Sequence, residues 1–269
     1  VARAMTNALA TMSSPGRGGH PLAMRAAETA FQCRSELAEL FRAEDPERVV
    51  LTMNATHGLN IAIKSLVPYG GRALISGYEH NAVTRPLHAR NAKLLVARAP
   101  LFRPEAMVAA FREQLDLGAE VAVCTHVSNV FGYILPMEEI ARLCRDRGVP
   151  LIVDASQSAG ALPLDFQALG ADFIAMPGHK GLYGPQGTGL LLCARTPEPL
   201  LQGGTGSESV RQEMPDFLPD RAEPGTHNLP GIAGLREGLR FVRRLGPETI
   251  ARREGRLLRQ LGEGLARLP

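Results

Sequence analysis

Cysteine is scarce and scattered in this chain. Four cysteines, Cys33, Cys124, Cys144 and Cys193, occur in 269 residues. No two of them form a Cys-x-x-Cys pair or share the spacing of metal ligands, so neither a metal site nor a disulfide framework is expected. Cys124 and Cys193 fall in apolar strand-like runs, where a free thiol acts as a small core residue. Isolated thiols suit a reducing, cytoplasmic setting. Long apolar runs are lacking too: none approaches the roughly eighteen residues of a membrane span. Val1 opens a polar, helix-like stretch without the layout of a leader peptide. Internal repeats and low-complexity tracts are missing. So is an excess of one charge, the net charge being only +3. The arginine cluster Arg252-Arg253-Glu254-Gly255-Arg256 is mixed with acid at helical spacing and reads as a solvated helix face rather than a nucleic-acid patch.

What is present is enough apolar sequence, 45%, for a substantial core. Strand-like runs cover Arg48–Met53, Arg72–Ser76, Lys93–Ala97, Glu120–Val127, Val149–Asp154, Asp172–Met176 and Gly189–Cys193. Amphipathic segments of helical period lie between many of them, among them Ala26–Arg42 and Pro136–Arg147. Pro136, the early acids Glu138 and Glu139, and Gly148 mark a helix start and stop. This alternation predicts an α/β domain with a mostly parallel seven-stranded sheet, helices on both faces and right-handed crossovers. Ligands of such sheets bind at the carboxyl ends of the strands. From Gln202 to Pro230 periodicity gives way to Gly, Pro and charge, which predicts a long loop, either functional or disordered. Helical pattern resumes at Gly231, and Pro247–Leu268 reads as a further amphipathic helix. The expected division is 1–245 as a large domain whose N-terminal strand is missing, and 246–269 as the truncated start of a smaller C-terminal one.

Asp154 and Lys180 stand out within this frame. Asp154 ends the apolar run Leu151-Ile152-Val153, and Lys180 follows a second, Phe173-Ile174-Ala175-Met176. A lone Asp at a strand end is common, and most lysines are solvated surface charges. Here the lysine is followed by Gly181, Gly184, Gly187 and Gly189, a loop suited to close backbone approach. An acid and an amine at neighbouring strand ends match the needs of pyridoxal phosphate. A lysine forms a Schiff base with its aldehyde, and a carboxylate keeps its ring nitrogen protonated.

Further candidates follow other strands. Asn54-Ala55-Thr56-His57-Gly58 opens a helix, where a hydroxyl and free amides can bind phosphate; on these residues alone an ordinary Thr N-cap is the simpler reading. Glu79-His80-Asn81 opens another helix, and His80 could stack on an aromatic ring or simply cap. Asn129, after the run Val121–Val127, could reach a phenolate oxygen. Gln157 is expected one helical turn beyond Asp154.

Thr56-His57, His80, Asn129, Asp154, Gln157 and His179-Lys180 occur in an order and spacing that resembles the class V aminotransferase family of fold-type I pyridoxal phosphate enzymes, nearest the cysteine desulfurases and selenocysteine lyases. The stretches from Gly178 to Gly189, Gly203-Gly204-Thr205-Gly206, Glu223-Pro224-Gly225-Thr226-His227-Asn228 and Gly231-Ile232 carry the likeness over nearly the whole chain. The resemblance implies a catalytic set of Lys180, Asp154 and His80. Lys180 would bind the cofactor covalently, Asp154 would pair with its ring nitrogen, and His80 would stack on the ring. Gln157 and Asn129 would bond the phenolic oxygen, while Thr56, the amide of His57, and His179 would hold the phosphate. Gly204 and Thr205 would reach the cofactor of a partner, implying a homodimer. The implied activity is removal of sulfur from L-cysteine, giving alanine and a persulfide, with a sulfur-acceptor protein downstream. The alternatives on the same scaffold are an aminotransferase, another lyase, or a truncated non-catalytic member. Two departures matter: Pro177 stands where many relatives have a phosphate-binding Ser or Thr, and none of the four cysteines matches the desulfurase nucleophile. In the family, that cysteine and the arginine that grips the substrate carboxylate lie in a C-terminal segment that this chain does not reach.

Overall fold

The computed structural model describes residues 1–15, 19–208 and 210–268. In chain order the first elements are α1 (Ala2–Thr11), α2 (Pro21–Phe41), β1 (Val49–Thr52), α3 (Ala55–Leu66), β2 (Arg72–Ile75), α4 (Asn81–Ala89), β3 (Lys93–Val96) and α5 (Pro104–Asp116). There follow β4 (Val121–Thr125), α6 (Met137–Asp146), β5 (Leu151–Asp154), α7 (Phe166–Leu169), β6 (Phe173–Pro177), β7 (Gly189–Cys193), α8 (Leu229–Leu245) and α9 (Pro247–Leu265). Every strand-like run of the sequence lies on one of these strands.

The strands form one sheet in the order β1-β7-β6-β5-β4-β2-β3. Only β7 runs against its neighbours, pairing antiparallel with both β6 and β1. The short 178–188 connection explains this. A parallel return needs a crossover of a dozen or more residues, normally carrying a helix, whereas Pro177 pairs back directly with Gly189.

Alternation along the strands builds two cores. Ala122, Cys124, Leu151, Val153, Ile174, Met176, Leu190 and Leu192 face the layer of α2, α5, α6, α7 and α8. Val121, Val123, Ile152, Phe173, Ala175, Leu191 and Cys193 face α3 and α4. A sheet covered on both faces requires strands apolar at every position, and β4, β5, β6 and β7 are buried throughout. By contrast α9 buries only Ile250 and leaves Leu257, Leu258 and Leu261 exposed.

His126, one residue beyond β4, is held on both sides. Its amide donates to Asp154 O at 3.0 Å, and its carbonyl accepts from Leu135 N at 2.9 Å. Its ring Nδ1 is buried and has no partner among the described residues. Burial disfavours the imidazolium and pushes the His126 pKa down from 6.5 to about 4. The unfolded chain therefore takes up a proton at a pH where the folded chain does not. Between 6.5 and about 4 the unfolded state binds more protons, so stability falls as pH drops through that window. The urea midpoint should decline over this range, and His126→Gln should flatten the decline. A variant with an unchanged slope would assign the proton uptake to another group.

Candidate active site

Because β1, β2, β4, β5 and β6 run the same way, their carboxyl ends share one edge of the sheet. The segments after these ends enclose a cavity of about 210 Å³ lined by Thr56, His80, Asn129, Asp154, Gln157, His179 and Lys180, together with Asn54, Thr125, Ser156 and Pro177. Seven of the residues singled out from sequence thus meet in one place.

Asp154 is the last residue of β5 and only 2% exposed. Its Oδ1 accepts from the amide of Ser156 at 2.9 Å, which fixes the carboxylate and partly offsets its loss of water. Gln157 reaches the cavity from a turn, not from the helical turn expected after Asp154. Lys180 lies in the turn that leaves β6. Gly184 N donates to Gly178 O at 2.8 Å, and Tyr183 N to Lys180 O at 2.9 Å. This turn presses backbone to backbone on the one that follows Asp154. A Cβ on Gly181 would stand 2.3 Å from Ala159 O, and one on Gly160 would stand 2.2 Å from Gly181 O. Only hydrogen at both positions permits the approach, and Lys180 and Asp154 both line the cavity beside this crossing.

The helix openings behave differently from one another. α3 is capped by Asn54, whose Oδ1 accepts from His57 N at 2.9 Å. Thr56 therefore sits in the first turn with its side chain at the cavity, rather than at the cap. His57 turns to an adjacent cavity, and its Nδ1 accepts from Met53 N at 3.3 Å. Burial pushes the His57 pKa down, against an opposing pull from the Glu223 carboxylate. His80 caps α4 while lining the site: its Nδ1 accepts from Ala82 N at 3.0 Å, which leaves the ring N–H at Nε2.

Gly204 and Thr205 do not line this cavity. Gly204 O accepts from Gly225 N at 2.8 Å, and the Thr205 hydroxyl lies 3.1 Å from that of Ser207. The segment carrying them is anchored by Glu223, which is only 4% exposed. Arg34 of α2 grips this carboxylate with both terminal nitrogens, at 2.5 and 2.7 Å, and Leu51 N of β1 donates to it at 2.5 Å. Sequence reading assigned no role to Asn54, Ser156 or Arg34. The Asn of Asn54-Ala55-Thr56-His57 was legible as an N-cap three residues before its acceptor's partner. Arg34 gave no local signal, because its partner lies 189 positions away.

All four cysteines are buried and free. Burial pushes the pKa of Cys33 and Cys144 up to about 12, and raises Cys124 and Cys193 as well.

Aminotransferase class-V is the family that matches, and it matches residues 1–269. The chain belongs to the class V aminotransferases. A probable cysteine desulfurase of Methanothermobacter thermautotrophicus is 32% identical over 97% of this chain. Another from Pyrococcus abyssi is 30% identical over 94%. The chain spans 68% and 65% of the lengths of these two relatives. Among solved structures, the apo cysteine desulfurase from Thermococcus onnurineus NA1 superposes with a TM-score of 0.88 at 29% identity, covering 98% of this chain and 69% of that one. The enzyme C-DES, in a form with glycine covalently linked to its pyridoxal phosphate, superposes with a TM-score of 0.81 at 25% identity, covering 100% of this chain and 74% of that one. The architecture expected from the sequence, a fold-type I large domain with a mostly parallel seven-stranded sheet, is that of these neighbours.

In this class V chain the four thiols should be inert. A thiolate-selective reagent at neutral pH is expected to modify none of them in the folded protein and all four in denaturant, read by mass spectrometry. Rapid modification of any one in the native state would show that its burial is transient.

Proposed function

We propose that this chain is the cofactor-binding core of a pyridoxal phosphate-dependent cysteine desulfurase acting on L-cysteine. The observation that carries it is the meeting of Lys180 and the buried Asp154 in one cavity with His80, Asn129, Gln157 and Thr56. The donor set fits the cofactor. A primary amine suits its aldehyde, a buried carboxylate its ring nitrogen, and side-chain amides its phenolic oxygen. The Thr56 hydroxyl and His179 suit its phosphate at the start of α3, where first-turn amides lack helical partners. Pro177, at the end of β6, offers no hydroxyl there, so those groups carry the phosphate without it.

When bound, the cofactor supplies an electron sink at the α-carbon of the substrate. The chain supplies the rest. Lys180 is the residue whose amine would hold the cofactor through its aldehyde. Asp154 Oδ2 holds a proton on the ring nitrogen; its burial strengthens that interaction because little water competes. His80, fixed through Nδ1, presents its ring to the cavity. The sulfur-carrying thiolate is none of Cys33, Cys124, Cys144 and Cys193. Persulfide chemistry needs an accessible thiolate, and these four are buried with raised pKa values.

The same reading takes the active unit as a cytoplasmic homodimer whose Gly203–Gly206 segment serves the partner's site, passing sulfur to an acceptor protein. The support is that this segment lies outside its own cavity while Glu223 and Arg34 hold its base. Residues 246–269 are read as the entry to a smaller second domain, which would cover the exposed leucines of α9.

Borohydride reduction of the loaded protein should fix a pyridoxyl group to Lys180 by mass spectrometry. An adduct on another lysine would overturn the assignment. Asp154→Asn should lower turnover of the full-length protein on the order of 100-fold or more, the scale of losing a preorganised electrostatic partner; wild-type turnover would remove Asp154 from the mechanism. Residues 1–269 alone should release no sulfide from L-cysteine at enzymic rates, since no thiol can reach the substrate. Robust release would point instead to direct elimination without a thiolate.

A further inference from the structure

The loop from β2 to α4 closes around one carboxylate. Glu79 Oε1 accepts from the Ser76 amide at 2.9 Å and from the Ser76 hydroxyl, while Oε2 accepts from the Gly77 amide at 2.7 Å. Ser76 Oγ in turn accepts from Tyr78 N at 3.1 Å. Gly77 closes the turn at φ +85°, a conformation that L side chains avoid. The closed motif ends one residue before His80. Its outer side is braced as well: the Tyr78 hydroxyl donates to Ala99 O at 2.9 Å. The Tyr78 ring meets Phe131 and Tyr133 edge-on, at centroid distances of 5.9 and 5.7 Å. Phe131 lies two residues past Asn129, so the aromatic contact ties the His80 loop to the Asn129 loop.

Burial pushes the Glu79 pKa up, and the Ser76 and Gly77 donors pull it down less strongly. A half-buried carboxylate is a costly way to close a turn that Ser, Asn or Asp closes routinely in water. What it adds is simultaneous, charge-capable acceptance of three donors, which leaves the backbone before His80 a single arrangement.

We propose that Glu79 is a positioning residue: its closure of the Ser76–Tyr78 segment fixes the direction in which His80 presents its ring and Nε2–H to the cavity. The proposal rests on reading that cavity as the cofactor site, though its first readout does not. Glu79→Gln keeps one acceptor oxygen but turns an NH₂ group toward the Gly77 N–H, donor against donor.

The test uses the full chain. ¹⁵N spectra of the histidine rings, with His80 assigned by its loss in His80→Asn, should show a single Nε2–H tautomer in the wild type. Glu79→Gln should show a mixture, at a melting temperature close to wild type. Pyridoxal phosphate affinity, by fluorescence titration, should weaken about tenfold, the scale of one lost hydrogen bond. Ser76→Ala should shift both readouts the same way by less. A folded Glu79→Gln with the wild-type tautomer signature overturns the proposal. If that variant does not fold, Ser76→Ala decides: an unchanged signature there overturns it equally. A wild type that binds no pyridoxal phosphate would sink the functional reading, while the tautomer readout would still decide the role of Glu79.

Discussion

The close approach of two turns governs this site. The 155–161 turn after β5 and the 178–184 turn after β6 touch through Gly160 and Gly181, main chain on main chain. Neighbouring parallel strands lie about 4.8 Å apart, which brings Asp154 and the end of β6 near each other without aligning their functional groups. The crossing does the alignment. It fixes the path by which the chain leaves β6, and so the position of Lys180 relative to a carboxylate that the sheet has already buried. The reversal of β7 follows from the same turn: a chain folded back this tightly returns as a hairpin, and Gly189 arrives against the backbone of Asn54 at the start of α3.

Around this contact the protein meets two electrostatic demands in different ways. Asp154 faces the cavity, held at one oxygen by Ser156 and left available at the other side for a ligand. Glu223 is instead fully engaged, by Arg34, Leu51 N and His227 Nε2 at 3.2 Å. A buried ion pair contributes little net stability over an apolar packing, but removing one partner leaves an uncompensated charge, at a cost of about 3–5 kcal/mol. The pair therefore acts as a register pin. It joins α2, β1 and the irregular 202–230 segment, which has little apolar periodicity with which to hold itself.

The same economy separates the buried thiols from the chemistry. Cys124 and Cys193 fill the small positions of fully covered strands, and Cys33 and Cys144 lie on the core faces of α2 and α6. Each stabilises packing through its size. Burial that makes a thiol a good core residue also suppresses the thiolate, so the sulfur chemistry of a desulfurase has to be done by a group elsewhere.

The strands, the layering and most of the cavity were legible in the sequence, because each is written locally. Apolar runs mark covered strands, and a parallel sheet sends the residues after Thr125, Asp154 and Pro177 to one edge. Asp154, Lys180, His80, Asn129, Gln157 and Thr56 could be named as candidates on that basis, and His179 through the family resemblance. What the sequence left open depended on which donor meets which acceptor. Asn54 and not Thr56 caps α3, since the cap goes to the side chain whose backbone is extended just before the helix. His80 both caps and faces the cavity, two readings that one-dimensional pattern presents as alternatives. Gln157 reaches the site from a turn rather than a helix. Arg34 and Glu223, and the bracing of Tyr78 on Phe131, join residues far apart in the chain. Local propensity and hydrophobic period determine elements and their order; only the folded chain decides pairings between distant polar and aromatic groups, because those energies do not exist until the surfaces are brought together.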